Sequence, residues 1–378
     1  MGPTLILDKS ALQALSQKEV WRLRTHFSLN IPPILISEIL GDLAKEKDHD
    51  QVIFLARKLP AIEQYENEHY RTLCLGSLSG LRFDMRGVPV IAGGMPVTTK
   101  SGERGVFFDA TPEQIALLRW GSGDFSDSER LEAETWRGMI PKIDVDSYAD
   151  RLSRYYIVVP RAEDFRELAV SVDHLLRDGS LQEPLLNCLL DECGVPDLFR
   201  TLALFTWTLA GRPPLRKYAP YAFHCMRVLT TFIGGIRNDL ITNRASNRLD
   251  LEYCYYLPFC VGFVSRDLLH KGLSEALLNE DQDFIDADEL KADLRRLDEE
   301  WEQMSDEQRR ERKARFGDYP PDRPDSIVAR LWKKHMPPWR PGMGDRSIEL
   351  TKEQEAGLLA KIDEMMEAVE SAKSKKSG

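Results

Sequence analysis

Short apolar runs mark the two ends of the chain. Thr4-Leu5-Ile6-Leu7, Ile34-Leu35-Ile36-Ser37 and Phe259–Ser265 have the length and branched-residue content of buried strands. Phe284-Ile285, Val106–Asp109 and Tyr155–Val159 are further candidates. Between the first two runs, Leu12, Leu15, Val20, Leu23 and Phe27 recur on one helical face. Ser10 can cap that helix and Pro32-Pro33 stops it. A second helix carries Glu38 and runs to about Lys47. The start therefore reads as β-α-β-α.

The middle is mixed. Val52–Leu59 reads as helix, and Leu81–Met95, with several Gly and Pro, as a loop or hairpin. Thr111-Pro112-Glu113-Gln114 is a capped helix start. Helical patterns follow over Phe165–Leu176, Leu181–Asp191, Val195–Ala210 and Tyr221–Arg237, then around Asp250 and over Leu268–Leu278. Residues 287–316 are rich in Glu, Arg and Lys and suggest a solvated helix pair. Residues 317–350 are rich in Pro and Trp, and 351–370 form an amphipathic helix before a tail expected to be disordered.

Composition changes this picture little. The chain has 378 residues, 42% hydrophobic and 30% charged, which is ordinary for a globular protein with a large core. A net charge of -10 argues against a general nucleic-acid coat, but not against an enzyme with local phosphate contacts. The cysteines include no CxxC pair, so neither a zinc ribbon nor a disulfide framework is expected. Cys225, Cys254 and Cys260 read as buried thiols. No signal-peptide pattern and no bilayer-length apolar run is evident, so a cytoplasmic location without membrane contact is expected.

The candidate chemistry lies at the strand ends. Two strand-like runs finish on Asp8 and Asp267, and Glu38 and Asp250 occupy similar contexts. Open parallel sheets bind ligands beyond the carboxyl ends of their strands. Four carboxylates gathered there would repel one another unless a hard divalent cation held them. Each acid also has a simpler reading. Asp8, Asp250 and Asp267 can cap helices, and Glu38 can be a first-turn acid favoured by the helix dipole.

Leu5-Ile6-Leu7-Asp8-Lys9-Ser10, Ile36-Ser37-Glu38, Asp250-Leu251-Glu252-Tyr253 and Phe263-Val264-Ser265-Arg266-Asp267 resemble, in order, the four acidic elements of PIN-domain nucleases. The likeness covers about residues 4–45 and 235–286. It implies a PIN-like three-layer α/β/α core with a central, mostly parallel sheet, built from residues 1–48 and 221–286. Residues 49–220 would then be a large, mainly helical insertion, and 287–378 a helical, Pro/Trp-containing extension. It also implies a metal-dependent nuclease that acts on RNA in preference to DNA. Mg²⁺ or Mn²⁺ suits an all-carboxylate site. Asp8 would be the central ligand, with Asp250 and Asp267 beside it. Glu38 would bind metal or orient the attacking water. The unusual length suggests a toxin-like or defence-related bacterial effector. The competing reading is an inactive PIN-like scaffold that docks a protein partner through the insertion or the extension.

Neighbouring residues fill lesser roles. Asp239 is an alternative ligand or a loop residue, and Asp42 lies one turn after Glu38. Ser265 either bonds a ligating carboxylate or ends its strand. Arg237, Arg244, Arg248 and Arg266 either clamp a nucleic-acid backbone or offset the acids. Tyr253 reads as a core aromatic and His270 as a helix-surface residue that could face the pocket. Asp8→Asn is expected to remove nuclease activity and leave the fold intact.

Overall fold

Five strands lie side by side in parallel, in the order β3-β2-β1-β6-β7, in a computed structural model that describes residues 2–45, 49–59, 65–341 and 351–376. They are β1 (Thr4–Leu7), β2 (Ser28–Ile31), β3 (Tyr65–Glu66), β6 (Gly262–Ser265) and β7 (Asp283–Asp286). A separate antiparallel hairpin joins β4 (Gly94–Thr98) and β5 (Arg104–Phe108). From β1 the chain winds outward through β2 to β3. It returns to the other side of β1 only at β6. The winding direction therefore reverses between β1 and β6, where open α/β sheets leave a crevice at the carboxyl edge.

The strand period of two explains why both faces are covered. Leu5, Leu7, Leu29, Val264 and Ile285 point into one apolar cluster, and Ile6 and Phe263 into the other. The first cluster is closed by the Lys9–Ala14, Gln17–His26, Ala287–Gln303 and Ile327–His335 helices. The second holds the Pro33–Gly41, Pro220–Arg237 and Leu268–Leu277 helices together with much of the middle of the chain. The molecule is a mixed α/β protein with helices flanking a central parallel sheet.

Several local expectations are corrected. Ile34–Ser37 is helical, inside Pro33–Gly41, and the second strand is Ser28–Ile31. Pro33 sits at the start of the helix, where its fixed φ is favourable, so the proline pair begins a helix here. The single helix expected from Ser10 to Phe27 is two. Asp8 caps the first, and Ser16 opens the second through a capping box with Glu19. Tyr155–Val159 is not a strand; Ile157 and Val159 are buried in an irregular segment. The first helix of the charged segment is not merely solvated, because Leu290, Leu294 and Leu297 face the sheet. The second, Asp306–Phe316, buries no residue. The last helix reaches Lys376, into the expected disordered tail, of which 377–378 lie outside the described residues. No described helix is long and apolar enough to cross a membrane.

The middle of the chain docks onto the Leu268–Leu277 helix through a close approach at Gly272. A Cβ there would lie 2.4 Å from the Phe165 ring. Gly272→Ala should therefore lower stability by about 1–3 kcal/mol, despite the roughly 1 kcal/mol that alanine gains in helix propensity. The urea midpoint measures this. A variant as stable as the parent would show that Phe165 does not fill this position.

Candidate active site

Asp8 leaves β1 and caps the Lys9–Ala14 helix, its Oδ1 accepting from the Ala11 amide at 2.7 Å. Its register partner across the winding reversal is the end of β6, since Leu7 pairs with Val264. Ser265 therefore reaches Asp8 directly and donates to Oδ2 at 2.6 Å. Ser10 donates to the same carboxylate at 2.9 Å. Both of these hydroxyls also accept a backbone amide of the next loop, Ser10 from Arg266 and Ser265 from Asp267.

His270 completes this knot. Its Nδ1 lies 3.0 Å from Asp8 Oδ2 and its Nε2 2.9 Å from the Asp250 carbonyl. Both ring nitrogens thus face acceptors, which is the arrangement of a protonated imidazole. Burial alone would lower its pKa, but the Asp8 carboxylate outweighs that and the pKa rises to about 9. Burial would likewise raise Asp8, yet His270, Ser265 and the Ala11 amide hold it below the usual carboxylate range. Sequence reasoning placed His270 on the helix surface, whereas only 1% of it is exposed. The signal available was its position one helical turn after Asp267, on the face that turns back toward the sheet.

Asp250 lies in the first turn of the Asn247–Cys254 helix and does not cap it. No hydrogen bond or ion pair reaches its carboxylate among the described residues. Burial is the main cause that pushes its pKa up to about 6; His270 opposes the rise, and the Asp267 and Asp8 charges add to it. Glu38 comes from the Pro33–Gly41 helix rather than from a strand end. Tyr253, three residues after Asp250, donates to Glu38 Oε2 at 2.5 Å. Burial pushes Glu38 to about 7, with Tyr253 and Lys9 opposing and Asp250 and Asp8 adding. Asp267 caps the Leu268–Leu277 helix through the Leu269 amide at 2.7 Å and stays exposed. All four predicted acids therefore share one edge of the sheet, and three of them also hold structural bonds.

The lesser candidates separate. Ser265 belongs to the site. Asp239 does not: it occupies an exposed left-handed turn, φ 58°, after the Pro220–Arg237 helix and partners none of the acids. Arg248 is no backbone clamp, because it is buried against Tyr148 and Tyr255 and paired with Glu252 and Glu192. Arg266 is exposed at the rim and paired with Asp288 at 3.1 Å. Asp42 is buried and neutralised by Lys9 at 2.6 Å and Lys45 at 2.7 Å. Lys9, which had no expected role, ties Asp42 to the Glu38 carbonyl at 3.1 Å.

The donor set is oxygen, as a hard divalent cation requires. The half-buried Asp250 carboxylate has no partner among the described residues, and the Asp267 and Asp8 charges disfavour its ionised form. Among the described residues, no three His, Cys, Asp or Glu side chains are already arranged to hold a metal. Compared with known protein families, curated proteins and solved structures, the chain has no match.

Proposed function

We propose that the chain is a PIN-like, Mg²⁺- or Mn²⁺-dependent nuclease acting on RNA in preference to DNA. The observation that carries this reading is the half-buried Asp250 carboxylate, unpartnered among the described residues, at the winding reversal with Asp8, Asp267 and Glu38. Asp250 and Asp267, with Asp8, would hold the cation. Bound there, it would polarise the scissile phosphate and lower the pKa of a bound water. The chain's own groups do the positioning. Ser10, Ser265 and His270 fix the Asp8 carboxylate in one orientation. Tyr253 fixes Glu38, which orients the attacking water. The exposed Arg266–Asp288 pair is worth only about 0–1 kcal/mol, so Arg266 can exchange Asp288 for a backbone phosphate.

A second reading, an inactive scaffold, draws on two observations. Asp8 is already neutralised by His270. The middle of the chain also carries an apolar stripe, Leu198, Leu202, Phe205 and Leu209, on the outside of the Asp197–Leu209 helix, which suits a protein partner. End-labelled single-stranded RNA separates the two. The nuclease reading predicts cleavage with Mg²⁺ or Mn²⁺, loss in EDTA and recovery when metal is restored. Intact RNA under every metal condition would favour the scaffold.

A further inference from the structure

A cavity of about 380 Å³ opens between the Gln17–His26, Ala287–Gln303 and Asp306–Phe316 helices. It lies at the opposite edge of the sheet from the acids. His26 on its wall directly precedes β2, whereas Asp8 follows β1, and the two strands are parallel. Four residues at roughly 3.3 Å each separate the two edges. Nothing in the proposed nuclease chemistry uses this cavity.

Its walls are cationic in a chain that is acidic overall. Arg22, Arg24, Arg312 and Lys313 line it, against Glu300 and Asp318. Arg22 pairs with Asp298 at 2.9 Å and stacks over Trp301, yet its Nε is buried without a hydrogen-bond partner among the described residues. Arg312 is half-buried and stacks on Phe316, and no described residue gives it a hydrogen bond or ion pair. Burial, only partly offset by Glu300, and the neighbouring Arg22 and Arg323 charges push its pKa below the usual arginine range. Arg22 already pairs with Asp298 and Arg323 with Glu300, so the charge left for a ligand centres on Arg312, and a polyanion there would bridge the clustered guanidinium groups. Arg24 stacks on Trp21, a residue 57% exposed, which also lines the cavity. An exposed tryptophan beside clustered arginines suits a planar ring attached to phosphates. The volume falls in the range of small-molecule sites.

We propose that this pocket binds a nucleoside polyphosphate, with its phosphates on Arg22, Arg24 and Arg312 and its base on Trp21. Calorimetric titration of the full chain with ATP, AMP and inorganic phosphate, in metal-free buffer, tests it. ATP should bind most tightly, with AMP and phosphate weaker by at least about 10-fold. Arg312→Gln and Trp21→Ala should each weaken ATP by at least about 10-fold while keeping the parent's thermal midpoint. Asp250→Asn should leave ATP binding unchanged, since its carboxylate lies at the other edge. The proposal is overturned if ATP gives no binding heat, if phosphate binds as tightly as ATP, or if both pocket variants bind ATP like the parent.

Discussion

Asp8→Asn should destabilise the protein by about 3–5 kcal/mol, the usual result of removing one partner from a buried ion pair. The reason is His270. Its ring is buried and both nitrogens point at acceptors, Asp8 Oδ2 and the Asp250 carbonyl. With an amide at position 8, the imidazole either keeps a charge with no counter-ion or gives up one of two buried hydrogen bonds. The sequence alone suggested a variant that would silence chemistry and spare the fold. The bonds in the structure lead to a different expectation for the fold, because Asp8 also caps a helix and accepts from Ser10 and Ser265. Urea unfolding at neutral pH reads the effect. Adding His270→Gln should recover part of it, giving a clear coupling energy in a double-mutant cycle. Additive single effects, or an Asp8→Asn midpoint equal to the parent's, would show that the pair does not hold the site together.

Asp250→Asn should do the reverse. Its carboxylate accepts no hydrogen bond among the described residues, and burial together with Asp267 and Asp8 disfavours its charge. Removing that charge leaves no partner stranded. Stability without metal should equal or exceed the parent's, while RNA cleavage and Mn²⁺ affinity should fall by at least the 10–100-fold typical of losing a supporting group at a metal site. Activity and thermal midpoint, measured on the same preparation, check both halves. Loss of activity with a lower midpoint would mean that Asp250 acts structurally.

The strand ends were legible because their physics is local. Thr4–Leu7 is an uninterrupted apolar run closed by an acid, and Phe263-Val264-Ser265 is similar. β2 was missed because Asn30 breaks its apolar pattern, while the neighbouring Ile34-Leu35-Ile36 imitates a strand inside a helix. His270 was undervalued because its partner is 262 residues away, and only the β1–β6 pairing brings the two together. The same holds for Tyr253 and Glu38, joined across 215 residues. Arg248 looked like a phosphate ligand because it sits close to the acids in sequence. Helical geometry instead turns it inward toward Glu192 and Tyr70.

The most direct test of the account is a Mn²⁺ titration by calorimetry of the parent and of Asp250→Asn, at a pH above 7. The account predicts saturable binding to the parent and a loss of at least about 10-fold in the variant, with both proteins equally folded. No binding to the parent, or equal binding to both, would contradict a cation site at the carboxyl edge of β1 and β6.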